Sequence, residues 1–160
     1  MHTILHTRED WKLALVRVVL GCVFFAHGAQ KALGWFGGQG FSGTVQTFTT
    51  QMGIPEVFAI LAILAEFAGG LGLIVGLFGR IAAFGVLCNM AVAVMMVHSQ
   101  VGFFMNWTGQ QKGEGFEFHL LAMAMCAAVI IGGSGALSLD LLLDRWTHSH
   151  HHGEAVPSSV

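Results

Sequence analysis

The sequence predicts an all-α integral membrane protein, a four-helix bundle with a short outer interfacial helix and a short C-terminal interfacial helix. Three observations carry that expectation. Of its 160 residues, 54% are hydrophobic and only 10% are charged, whereas soluble domains carry about 25% charged residues. Four apolar runs, Leu13–Leu33, Val57–Phe78, Ile81–Val97 and Phe116–Ile131, come near the roughly 20 residues that a helix rising 1.5 Å per residue needs to cross about 30 Å of hydrocarbon. Lipid offers no hydrogen bonds to exposed backbone, so the runs read as helices despite their Val and Ile content. Together they form one transmembrane domain, residues 1–147, followed by a disordered His-rich tail, residues 148–160.

The first run invites comparison with a signal peptide, because Ala26-His27-Gly28-Ala29 loosely mimics a small-residue cleavage site. Glu9 and Asp10 beside Arg8 and Lys12 make a poor basic flank, and the run reads as an uncleaved first span. The connection from Gly34 to Pro55 places Phe41, Val45, Phe48 and Met52 at the spacing of one helical face, which suits a short helix lying in the interface and lidding the outer end. Gly79-Arg80 is the only connection between the second and third runs, a tight inner hairpin. After the fourth run, Gly132-Gly133 ends the pattern and Ser138 caps a short apolar helix from Leu139 to Trp146, resting on the inner leaflet. The cluster His148-Ser149-His150-His151-His152 reads as a solvated terminus rather than a metal site.

Charge sets orientation and removes one class of partner. Arg8, Lys12, Arg80 and Arg145 share one side of the expected topology and only Lys31 and Lys112 the other, which places both termini in the cytoplasm. A net charge of −2 with no run of basic residues excludes nucleic acid as a partner. The three cysteines, Cys22, Cys88 and Cys126, lie far apart in apolar stretches with no CxxC pair, and read as small hydrophobic residues.

The informative residues are polar ones inside apolar runs: Arg17, His27, Lys31, Glu66, His98, Glu117 and His119. A charge at the bilayer centre costs about 3 kcal/mol on insertion scales, so such groups face the protein interior. On a helix turning about 100° per residue, Arg17, His27 and Lys31 fall on one face. His27, Lys31, His98, Glu117 and His119 lie towards the outer end, and Glu66 sits about 16 Å below Pro55. Snorkelling remains an alternative for Arg17 and Lys31, and an interfacial position for His98 and His119. Glu66 is too deep for that and needs a proton or a cation. Glu117 and His119 are about 200° apart, so only one of them points at the cluster, and Glu117 is aimed inward. Gly69, Gly70, Gly72 and Gly76 make a small-residue face for helix packing or for a flat ligand beside Glu66, and Asn89 bonds across helices.

Arg17 with His27-Gly28-x-x-Lys31, Glu66-x-x-Gly69-Gly70 with Gly76, and Arg80-x-Ala82-Ala83 form an ordered set. His98 with Gly102-Phe103-Phe104, Gly115-x-Glu117 and Gly135-x-x-Ser138-Leu139-Asp140 extend it. Over roughly residues 13–143 this set resembles the DoxX family of small four-helix bacterial membrane proteins. The resemblance implies a bacterial cytoplasmic-membrane protein associated with redox or stress-defence partners. One member is associated with a thiosulfate:quinone oxidoreductase. It carries over His27, Lys31, Glu66, His98 and Glu117 as the polar positions; His119 and the tail fall outside that pattern.

The expected function is a redox-associated accessory subunit of a quinone-linked oxidoreductase, not an autonomous enzyme. Glu66 and Glu117 would relay protons, while His27, Lys31, His98 and Arg17 would bind a quinone or a small sulfur or carbonyl compound. Alternatives from other classes are an ion or metabolite carrier or channel subunit, and a structural anchor for a partner. Haem between His27 and His98 is a further, weaker option, and no bound metal is expected. The implied partners are the lipid bilayer, a redox protein or quinone, and a second copy of the chain in a homo-oligomer.

Overall fold

The computed structural model describes residues 5–151, with side chains for residues 5–147; the side chains of the His-rich cluster and all of residues 152–160 lie outside what is described. All regular structure among the described residues is helical. Helix α1 (Trp11–Leu33) begins where the Asp10 side chain accepts the backbone N–H groups of Lys12 and Leu13, at 2.8 and 3.3 Å, and ends at Gly34 in the left-handed conformation, φ 74°. A short α2 (Gly40–Gln46) continues into a π-helical turn, Thr47–Gln51. Then follow α3 (Glu56–Val75), α4 (Gly79–Ala93) with its own π turn at Val94–His98, α5 (Glu117–Gly132) and α6 (Leu139–His151).

The four longer helices α1, α3, α4 and α5 pack side by side, each antiparallel to its neighbours. Gly21 of α1 lies against Leu73 and Ile74 of α3, and Gly28 against Glu66 and Phe67. Gly69 of α3 faces Ala82 of α4, Arg80 of α4 reaches Ile131 at the end of α5, and Phe118 of α5 stands beside Phe24 of α1. The shared core is Leu20, Phe24, Leu73, Ala83, Val86, Met90, Ala122, Cys126 and Val129. The glycines of α3 are consumed by this packing: a Cβ on Gly70 would meet the backbone of Phe25, so that face holds α1 rather than a flat ligand.

Two boundaries differ from expectation. The second run ends at Val75 rather than Phe78, because Gly76 (φ 69°) and Phe78 (φ 50°) turn left-handed and α4 already starts at Gly79. A side chain on Gly76 would strike Ser138 and the Arg17 guanidinium, which fixes the turn as glycine on two counts. In α2 the buried residue is Thr44, whose hydroxyl donates to the Lys31 carbonyl at 3.2 Å, while Phe41 is exposed.

Three helices, Trp11–Leu33, Glu56–Val75 and Gly79–His98, are long and apolar enough to cross a membrane, and α5 is apolar but shorter at 16 residues. All four tryptophans are exposed, Trp11 at 63%, Trp35 at 52%, Trp107 at 85% and Trp146 at 62%. They lie in two tiers. Trp11 and Trp146 stand at the end where Arg145 pairs with Glu9 at 2.5 Å, and Trp35 and Trp107 at the opposite end. Along α1 the tiers are about 36 Å apart, a spacing that would fit aromatic belts on either side of about 30 Å of hydrocarbon.

Candidate functional site

Helix geometry brings the central pair together. Every Cα–Cβ bond tilts towards its own helix N-terminus. Lys31, in the last turn of α1, therefore leans back into the membrane core instead of out to solvent. Glu66, midway along the antiparallel α3, leans up to meet it. Lys31 Nζ stands 2.5 Å from Glu66 Oε2, and Asn89 Nδ2 of α4 donates to Glu66 Oε1 at 2.8 Å. Each carboxylate oxygen thus takes a donor from a different helix, and three helices are tied at one buried group. The Glu66 side chain is 5% exposed against 26% for Lys31.

Close backbone approach makes that reach possible. A Cβ on Gly28 would stand 2.6 Å from the Glu66 carbonyl carbon and closer still to Phe67. Only glycine lets α1 and α3 approach so near that a lysine spans the gap. Asn89, read from sequence as a cross-helix bond, is the second ligand of this carboxylate.

A second group lies between α1, α4 and α5. The rings of His98 and His119 are 4.0 Å apart, with Phe118 5.6 Å from His119 and His27 6.3 Å from Phe118. His98 Nδ1 is 2.7 Å from the Glu114 carbonyl oxygen, which can only accept, so Nδ1 carries a proton. His119 is buried, and its Nδ1 has no partner among the described residues. His27 sits one turn before Lys31 on α1 and is exposed. Among the described residues no group of three or more His, Cys, Asp or Glu could hold a metal ion.

Two expected members are elsewhere. Glu117 does not point inward: its Oε1 accepts the Met105 backbone N–H at 2.9 Å and the Trp107 indole N–H at 3.1 Å, serving the segment that precedes α5. His119 takes the inward direction instead, because the chain folding back over the start of α5 claims the carboxylate. Arg17 shares a face of α1 with Lys31 but not its depth, since 14 residues separate them by about 21 Å. Its guanidinium, fully buried, donates to the carbonyl oxygens of Leu73, Ile74, Ser134, Ala136 and Leu137. It closes the end of α3 onto the segment after α5, where orphan carbonyls would otherwise be buried.

The other motif residues at that end do similar work. Asp140 caps the start of α4, accepting from Phe78 and Gly79 N–H at 2.8 and 3.0 Å, with the Ser134 hydroxyl at 2.5 Å. Arg80 binds the last carbonyls of α5 and that of His6. Ser138 caps α6 by accepting the Leu141 N–H at 3.2 Å. The ordered motifs therefore divide into a structural clamp at one end and the Lys31–Glu66–Asn89 and histidine groups towards the other.

Comparison with known proteins agrees with this architecture. Residues 12–99 match the sequence model of the DoxX family. The chain is 29% identical over 126 residues to a Bacillus subtilis protein named "Putative oxidoreductase CatD", covering 79% of this chain and 82% of the relative. It is 28% identical over 137 residues to the Escherichia coli "Inner membrane protein YqjF", covering 86% of this chain and 95% of the relative. No solved structure matches.

Proposed function

This chain belongs to the DoxX family of membrane proteins, and from that premise we propose that it is a redox-associated accessory subunit of the bacterial cytoplasmic membrane. On this reading it crosses the bilayer four times with both termini in the cytoplasm, and receives a quinone or a small sulfur or carbonyl compound beside Lys31 and Glu66. One relative's name describes an oxidoreductase and another's an inner-membrane protein, which supports the class.

The observation that carries the proposal is the buried carboxylate held by two donors. An ammonium has three N–H groups, and among the described residues Lys31 Nζ gives one, to Glu66. The remaining two are available to a ligand oxygen, where the positive charge stabilises negative charge developing there. When Lys31 turns to the ligand, Glu66 takes up a proton that it can then pass to that oxygen, and Asn89 keeps the carboxyl group oriented. His27, His98 and His119 offer the route by which Glu66 regains its proton from the outer side. Electrons come from a partner redox protein.

Gentle extraction from native membranes, followed by analysis of bound small molecules and proteins, tests the reading. Wild-type protein should retain a quinone or a sulfur or carbonyl compound, and Lys31→Met, at equal abundance, should retain much less. Equal retention by both, or none by wild type, would count against a ligand site at this pair.

A further inference from the structure

Helix α5 is too short, and the shortage falls at one end. Its 16 residues reach about 24 Å against roughly 30 Å of hydrocarbon. At the Arg80 end α5 is level with α1, since a Cβ on Gly132 would strike Leu13. At the other end Phe118 stands beside Phe24 and His27, while α1 continues six residues further to Leu33, about 9 Å. The space above α5 is filled by the non-helical chain that leads into it.

Much of that chain's backbone is paired within the protein. Phe116 and Glu117 N–H donate to the carbonyls of Gly102 and Phe103 at 3.1 and 2.9 Å. The N–H groups of Met105, Asn106 and Trp107 go to Glu117 Oε1, Glu114 Oε2 and the Met105 carbonyl, at 2.9, 2.8 and 2.9 Å. Irregular backbone survives next to lipid only when its polar groups are paired within the protein. On the outside of this paired backbone stand Phe103 at 44%, Phe104 at 67% and Trp107 at 85% exposure. The next five residues, Thr108 to Lys112, are all exposed and contain no large apolar side chain.

The geometry points to residues 103–107 as a lipid-contacting cap that completes the fourth crossing, seated at the border of hydrocarbon and head groups, with the water boundary between Trp107 and Thr108. Its partner is the phospholipid bilayer, because the cap continues the lipid-facing sides of α4 and α5 and shares its tier with Trp35. Glu117 is its organising residue: it replaces the water that would otherwise bind the Met105 N–H and holds the Trp107 indole by its own N–H.

The test uses the full chain with Trp11, Trp35 and Trp146 replaced by Phe, reconstituted in phosphatidylethanolamine–phosphatidylglycerol vesicles. Trp107 should emit at blue-shifted wavelength. It should lose emission when the vesicles contain phospholipid brominated near the head-group end of the acyl chain, and respond weakly to aqueous acrylamide. Glu117→Ala should shift the emission to the red and raise acrylamide quenching, whereas Glu117→Gln, which keeps an acceptor oxygen, should change it less. Water-like emission with strong acrylamide quenching at native Glu117 overturns the cap. Unchanged emission in Glu117→Ala removes Glu117 from its role. If Glu117→Ala does not accumulate, the native-Glu117 protein still decides between lipid and water.

Discussion

Replacing Lys31 by Met removes the charge that faces Glu66 while keeping a flexible apolar stem of similar length. Breaking a buried ion pair by deleting one partner costs about 3–5 kcal/mol, because the other charge stays buried. Two features lower that figure. The Lys31 side chain keeps 26% exposure, which screens the pair, and Asn89 still donates to Glu66 Oε1. Hydrogen bonds between membrane helices average only about 0.6 kcal/mol in double-mutant cycles. A loss of about 2 kcal/mol follows, roughly a thirtyfold fall in the folded-to-unfolded ratio. Adding Glu66→Gln removes the stranded charge and leaves an amide oxygen for Asn89, so the double variant should regain about 1 kcal/mol. Reversible denaturant unfolding in detergent micelles measures the cycle. A Lys31→Met protein as stable as wild type, or a double variant weaker than Lys31→Met alone, would refute the coupling of these side chains.

Gly28→Ala should push α1 off α3, costing about 1–3 kcal/mol and reducing ligand retention together with stability. Gly85→Ala, whose new methyl would sit 3.5 Å from Ala65 Cβ, should be tolerated, and unfolding midpoints of the two variants compare them. Arg17→Gln should lower the yield of folded protein by breaking the five-carbonyl clamp, yet leave ligand retained per folded molecule unchanged; normal yield with lost retention would return Arg17 to the site. Reporter fusions after Arg80 and Val160 should report the cytoplasm and fusions within residues 38–51 the outside, and an external C-terminus would contradict the charge bias.

The helical class was legible because residue composition and the length of apolar runs follow directly from the solvent. That Glu66 needs a proton or a cationic partner was also legible, since both its burial cost and its depth can be counted along the sequence, but choosing Lys31 over the histidines as that partner took the packing of α1 on α3. Arg17 was grouped with it by angle alone; angle without height cannot separate groups about 21 Å apart on the same face. Choosing between Glu117 and His119 required knowing that residues 99–116 fold back over α5, a long-range contact that no local pattern announces. The early end of α3 escaped for a similar reason. Phe78 adopts positive φ only because its N–H and that of Gly79 are held by Asp140, some sixty residues away.

The central claim is that Glu66 exchanges a proton rather than merely bracing three helices. Glu66→Gln is nearly isosteric and keeps hydrogen-bonding capacity, but carries no proton on and off. The direct measurement is quinone-linked electron transfer by the intact complex in native membranes, normalised to the amount of folded protein. The account predicts normal abundance with turnover largely abolished; normal abundance with undiminished turnover would contradict it and leave Glu66 a structural brace.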